Sequence, residues 1–252
     1  MSFLDKIKNK WAKGFFVCVG LDCADLQLNK SVIDQTFDLV CCYKPNSAFY
    51  EAEGAKGLEA LRLTIDYIHQ KDSNLPILLD AKKGDIGNTN KEYVKGIFDD
   101  LQVDAVTLHP YLGKESLQPF LERGDKGIFI LVKTSNEGAG EFQDLEVNGK
   151  LLYQVVAEHV KKWNTNGNVG VVVGATYPSE LKKVREIVGD MPILIPGVGA
   201  QGGDLEATIK AGKDSNGQGI IIASSRAIIF SENPKEATLK LHQQTQEALN
   251  YG

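Results

Sequence analysis

The segment Leu78-Leu79-Asp80-Ala81-Lys82-Lys83-Gly84-Asp85 places four ionisable side chains directly behind a short apolar run. Side chains alternate faces along a strand, so Asp80 and Lys82 point one way and Ala81 the other. Lys44 ends a second apolar run. If the two runs are neighbouring strands facing one interior, Lys44 stands beside Asp80 and the three form an alternating Lys-Asp-Lys set. Opposite charges at that range hold each other ionised, and fixed charge of this kind can stabilise charge that develops during a reaction. Asp85 lies past Gly84, where the chain has left the strand, so its carboxylate is free to address a neighbouring subunit. Asp22, Ser135, the glycine-rich turn at 197–203 and Arg226 follow other apolar runs in the same manner.

Those groups need a scaffold that presents strand ends to one place. Short β-rich runs fall near 15–21, 39–44, 76–81, 103–108, 127–132, 169–174, 192–195 and 219–223, with helical spacing of apolar residues between them. Leu58, Leu61, Ile65 and Ile68 mark one such helix, Leu152, Val155, Val156 and Val160 a second, and Leu181, Val184 and Val188 a third. Pro234 opens a last helix. Eight strands too apolar for a sheet solvated on one side, alternating with helices, predict an α/β fold of the (β/α)8 TIM-barrel type; an open doubly wound sheet is the structural alternative. Such barrels commonly occupy about 250 residues, so residues 1–252 are expected to form a single catalytic domain. Barrel enzymes work at the C-terminal ends of their strands, where the residues named above fall. Strand parity also turns Cys18 and Cys42 into the barrel interior, and all four cysteines read as core thiols. His109, at the end of the fourth predicted strand, is expected to play a structural part.

Composition narrows the partners. The net charge is −5, and Lys and Arg never cluster beyond pairs, so nucleic acid is not an expected partner. The longest uninterrupted apolar stretches, such as Ile128 to Val132, fall far short of the roughly 18 residues that cross a bilayer. No membrane association is expected. Asp5, Lys6, Lys8 and Lys10 interrupt the N-terminus where a secretory signal would be apolar, so a cytoplasmic location is expected. The cysteines show no metal-ligand spacing.

The run Asp80-Ala81-Lys82-Lys83-Gly84-Asp85-Ile86-Gly87-Asn88-Thr89 resembles the D-x-K-x-x-D motif of the orotidine 5′-monophosphate decarboxylase family, in the form of its second bacterial-type subfamily. Val19 to Asp22, Tyr43 to Glu51, Lys133 to Asn136, Pro196 to Asp204 and Ser224 to Arg226 agree with the family's order over essentially the whole chain. Two positions depart from it: Lys83 stands where relatives often carry Arg, and Ser225 where a Gly often precedes the phosphate-binding Arg.

The resemblance implies loss of CO2 from orotidine 5′-monophosphate to give uridine 5′-monophosphate, the last step of de novo pyrimidine synthesis, without metal or organic cofactor. It implies a catalytic network of Lys44, Asp80, Lys82 and Asp85, with Asp85 donated by the other subunit of a homodimer. Lys82 would stabilise the carbanion left at C6 and then protonate it. Asp22 and Lys44 would bind ribose hydroxyls, helped by Thr89 across the interface, and Ser135 would contact the pyrimidine. Pro196, Gln201, Gly202, Gly203, Ser225 and Arg226 would complete the substrate site, with phosphate beside the last two strands and Gln201 closing over it. A fused phosphoribosyltransferase, found in some relatives, has no room in 252 residues. Two rival readings share the barrel. One is a Mg²⁺-dependent sugar-phosphate lyase or decarboxylase of the same group, for which a carboxylate is expected where Lys44 stands. The other is a nucleotide-binding barrel without catalysis, which predicts a broken charge set.

Overall fold

Ser2 and Asp5 open the chain with a reciprocal capping box, and the helix they start, α1 (Phe3–Ala12), buries Phe3, Ile7 and Trp11. Phe3 packs edge-on against Phe129 with ring centroids 5.6 Å apart, which seats α1 against the N-terminal end of the barrel. The computed structural model describes residues 1–198 and 204–250.

Beyond α1 the chain alternates: β1 (Val17–Leu21), α2 (Leu26–Thr36), β2 (Cys42–Pro45), α3 (Ser47–Glu51), α4 (Gly54–Lys71), β3 (Leu78–Lys83), α5 (Gly87–Val94), β4 (Ala105–Leu108), α6 (Gly113–Leu121) and β5 (Gly127–Lys133). After β5 comes a detour of α7 (Gly140–Gln143) and a small antiparallel hairpin, β6 (Glu146–Val147) with β7 (Lys150–Leu151). The alternation resumes with α8 (Leu152–Trp163), β8 (Val169–Val173), α9 (Pro178–Val188), β9 (Ile193–Pro196), α10 (Leu205–Gly212), β10 (Ile220–Ser224), α11 (Arg226–Ile229) and α12 (Pro234–Asn250).

Eight of these strands form one parallel sheet in the order β2-β1-β10-β9-β8-β5-β4-β3. Parallel bridges Tyr43↔Ile77 and Asn46↔Asp80 join the two ends of that order, so the sheet closes into a (β/α)8 barrel. The expected strands and helices are all present; the β6–β7 hairpin was not anticipated, because its two-residue strands carry no periodicity. Among the described residues no helix is long and apolar enough to cross a membrane.

Burial on both faces accounts for the apolar strands: every residue of β1, β2, β4, β8 and β10 is buried. Cys18 and Cys42 are register partners on adjacent strands, and burial pushes both thiols well up. Cys41 is buried as well, but Cys23 is only half-buried beyond the end of β1, where its Sγ accepts from the Asp25 amide; it is not the core thiol expected. The Asp25 carboxylate in turn caps α2. His109 has the structural part expected of it, with Nε2 2.9 Å from the Gly84 carbonyl oxygen.

Candidate active site

The C-terminal ends of the strands meet around a cavity of ≈ 170 Å³. Asp22, Lys44, Asn46 and Asp80 line one side of the circuit, Ser135 stands beyond β5, and Pro196, Gly197, Val198, Ser224, Ser225 and Arg226 complete the lining. The cavity therefore gathers residues from β1, β2, β3, β5, β9, β10 and the loops that follow them.

Asp80 is the hub of the charged side. Its Oδ2 accepts from Lys44 Nζ at 3.1 Å, and its Oδ1 accepts from Lys82 Nζ at 2.7 Å and from the Thr107 hydroxyl at 2.8 Å. Lys44 Nζ also lies 3.9 Å from Asp22 Oδ1, so the order across three strands is Asp22, Lys44, Asp80, Lys82. Burial works to raise the Asp80 carboxyl, but the ammonium groups of Lys44 and Lys82 and the bonds from Lys82 and Thr107 overcome it and hold that carboxyl well below its ordinary range. Burial likewise works to lower Lys44, and the Asp80 and Asp22 carboxylates reverse it, leaving its ammonium well above the ordinary value. Both groups are charged at neutral pH. Asp22 Oδ1 is buried and accepts no hydrogen bond among the described residues, so it is an acceptor available to a ligand hydroxyl.

Lys82 reaches Asp80 by a route that simple alternation does not describe. The β3–β4 register shifts between Leu79 and Lys83, and Lys82 has φ +45°, the left-handed region that costs a non-glycine residue roughly 1–2 kcal/mol. The Lys82 amide donates to the Thr107 hydroxyl at 3.0 Å. Half of the Lys82 side chain remains exposed, against 5% for Lys44, so the ammonium of Lys82 is the accessible one of the pair.

The far side of the cavity is made of turns. Gly197 has φ +94°, a conformation that frees the chain to turn sharply after β9. Asp204 caps α10 through the Ala207 amide. Arg226 opens α11 on the cavity wall, and among the described residues no carboxylate pairs with its guanidinium. Ser225 is accommodated by a neighbour: a Cβ on Gly20 would come within 1.9 Å of the Ser225 Oγ. Lys83, the other departure, bonds to Glu51 at 3.3 Å and lies 5.1 Å over the Tyr93 ring, in a groove beside α4 and not in the cavity.

The expected site residues divide into three groups. Asp22, Lys44, Asp80, Ser135, Pro196, Ser225 and Arg226 line the cavity, and Lys82 joins them through its bond to Asp80. Asp85 and Thr89 lie on the β3–α5 connection and in the first turn of α5, outside the cavity of their own chain. Gln201, Gly202 and Gly203 lie outside the described residues. Sequence reasoning missed Asn46, whose side chain caps α3 from the cavity wall, and Thr107. It also gave no role to the anchors of the Ser135 loop. Lys133, 1% exposed, pairs with Asp144 at 2.5 Å, and Gln143 exchanges bonds with Thr134. Period two offered a signal for Thr107 alone, since it shares a strand face with His109.

A closed parallel barrel with ionised strand-end side chains facing an arginine across a small cavity defines a barrel enzyme for a small anionic substrate. Residues 16–241 match the Orotidine 5'-phosphate decarboxylase / HUMPS family, and the chain belongs to that family. It is 44% identical to the orotidine 5'-phosphate decarboxylase of Cupriavidus metallidurans, over 99% of this chain and 98% of that one. Among solved structures it is similar to Leishmania donovani OMP decarboxylase, with TM-score 0.93 and 38% identity, covering 99% of each chain. It also matches Leishmania donovani UMP synthase, with TM-score 0.94 and 40% identity, covering 99% of this chain and 57% of that longer one.

Proposed function

We propose that this chain decarboxylates orotidine 5′-monophosphate to uridine 5′-monophosphate and CO2 by fixed charge, with residues 1–252 acting as one catalytic barrel in the cytoplasm. The observation that carries the mechanism is Asp80 shared between Lys44 and Lys82 on the wall of the cavity. Loss of CO2 from C6 leaves an electron pair in the plane of the pyrimidine ring, where no π system takes it up. The Lys82 ammonium, oriented by Asp80, stabilises that charge as it forms and then delivers its proton to C6. The bond from C6 to the carboxylate carbon breaks with its electrons left on C6, a C6–H bond forms, and Lys82 is left neutral until solvent reprotonates it.

Binding falls to the remaining groups. Asp22 and Lys44 take the ribose hydroxyls, consistent with the open acceptor on Asp22 Oδ1. Ser135 contacts the base, while Pro196, Gln201, Gly202, Gly203, Ser225 and Arg226 surround the phosphate, for which Arg226 supplies a bidentate fork. Asp85 and Thr89 serve the cavity of the other subunit in a homodimer. Their position outside their own cavity supports this, as do the exposed Ile86, Tyr111 and Leu112 on the adjoining loops. The family also contains sugar-phosphate enzymes. Lys44 argues against a metal-dependent reaction of that kind, because an ammonium 3.1 Å from Asp80 occupies the counter-charge position of a divalent ion.

The test is to mix the purified chain with orotidine 5′-monophosphate in excess EDTA and follow the ultraviolet spectrum. Conversion to the spectrum of uridine 5′-monophosphate is expected. An unchanged spectrum, or conversion that needs an added divalent metal, would contradict the proposal.

A further inference from the structure

Thr107 sits on β4 with 1% of its surface exposed, outside the lining of the cavity, yet its hydroxyl touches two parts of the charged wall at once. A hydroxyl has one proton to give. Here it goes to Asp80 Oδ1 at 2.8 Å, because a carboxylate only accepts, and the oxygen accepts from the Lys82 backbone amide at 3.0 Å. The Lys82 ammonium bonds to the same Oδ1 at 2.7 Å. The hydrogen bonds therefore close a ring: the Lys82 amide donates to Thr107, Thr107 donates to Asp80, and the Lys82 ammonium donates to the same Asp80 oxygen. This ring lies where the β3–β4 register shifts and where Lys82 adopts φ +45°. An amide displaced from a ladder needs another acceptor, and a left-handed lysine needs its surroundings to hold it.

We propose that Thr107 is a positioning residue whose hydroxyl fixes the Lys82 backbone in its left-handed turn and the Asp80 carboxylate beneath the Lys82 ammonium. The proposal rests on the decarboxylase reading above. A regular strand at Lys82 would satisfy its amide in the ladder; on the irregular path it takes here, the Thr107 hydroxyl supplies the acceptor that the amide needs. Because Thr107 does not line the cavity, and Arg226, Asp22 and Ser135 are untouched by it, its effect falls on turnover more than on binding.

The experiment compares steady-state decarboxylation of orotidine 5′-monophosphate by the wild-type chain, Thr107→Val and Thr107→Ser. Removing a donor to a buried charged group predicts that Thr107→Val lowers kcat by about 10- to 100-fold. KM should move by less than about threefold, since the binding groups stay in place. Thr107→Ser, which keeps the hydroxyl, should restore most of kcat. If Thr107→Val does not fold, Thr107→Ala takes its place against the same serine variant. Wild-type kcat in the valine or alanine variant would overturn the proposal alone, and so would a serine variant as impaired as they are. Absence of turnover by the wild-type chain would overturn the functional reading and this proposal with it.

Discussion

The two walls of the cavity are built in opposite ways. On the β1–β4 side every charge already has its counter-charge: Asp80 takes bonds from Lys44 at 3.1 Å and Lys82 at 2.7 Å, and Thr107 adds a third donor. On the β9–β10 side the chain offers a left-handed glycine turn at Gly197 and, in Arg226, a guanidinium with no carboxylate partner among the described residues. Within its own chain the first wall pairs its charges with one another. The second awaits a negative charge from outside. Groups that must stabilise a transition state are most effective when they need no rearrangement during the reaction, whereas groups that capture a substrate work by attraction not yet satisfied within the protein. On the proposed reading the first wall carries the chemistry, with Asp22 and Lys44 also holding ribose, and the second captures the phosphate.

The sharpest way to break that division is Asp80→Asn. It keeps the shape and removes the charge that orients both ammonium groups, so kcat should fall by about 10²- to 10³-fold. Lys44 is left buried beside a neutral amide, and breaking a buried pair of this kind costs about 3–5 kcal/mol, readable as a lowered denaturation midpoint. Wild-type stability in this variant would show that the Lys44–Asp80 pair does not hold the β1–β4 wall.

Arg226→Ala should behave in the opposite manner. Loss of charge-assisted bonds to phosphate predicts a KM raised by about 10- to 100-fold. The unfolding free energy should stay within about 0.5 kcal/mol of wild type, because among the described residues the side chain pairs with no carboxylate. A destabilised variant with normal KM would place Arg226 in the scaffold and erase the distinction between the walls.

A third test asks whether the charged wall is completed by a second chain. Lys82→Ala and Asp85→Ala should each be inactive. Mixed and allowed to exchange subunits, they should recover about a quarter of wild-type activity, because half the dimers are then mixed and each mixed dimer has one intact site. No recovery despite proven exchange would mean that Asp85 acts in its own subunit, and an active Asp85→Ala chain would mean that it does not act at all.

The smallest effect is an expected constancy. Asp80 has its folded pKa below the unfolded carboxyl value near 3.9, so its stabilisation is fully present above about pH 4 and is lost as pH falls through the folded value. Lys44 has its folded pKa above the unfolded value near 10.4, so its contribution is complete below about pH 10 and is lost as pH rises through the folded value. The stability gap between wild type and Asp80→Asn should therefore stay flat from about pH 5 to 9 and narrow in stronger acid and in stronger base. A gap that changes through neutrality would contradict the assignment of charge on these two residues.

Much of the charged wall was legible in the sequence because period two and apolar run ends are local signals. They locate Asp22, Lys44 and Asp80 at strand ends before any contact is known. Lys82 shows where that logic stops: its residue type and position were legible, but the irregular backbone that delivers its ammonium to Asp80 depends on Thr107, 25 residues away in sequence. The Ser135 loop is similar. Its anchors Gln143 and Asp144 lie in the detour after β5, where nothing periodic announces a structure. Cys23 was misjudged for a related reason, since composition favours burial of a thiol but does not reveal that β1 has ended two residues earlier.

The most direct test of fixed-charge chemistry is kcat of Lys82→Ala at saturating orotidine 5′-monophosphate, followed in the ultraviolet with chelator present and folding checked by circular dichroism. A folded protein whose kcat is reduced by more than about 10³-fold is the expected result. A folded variant that turns over within tenfold of wild type would contradict the role given to the Lys82 ammonium.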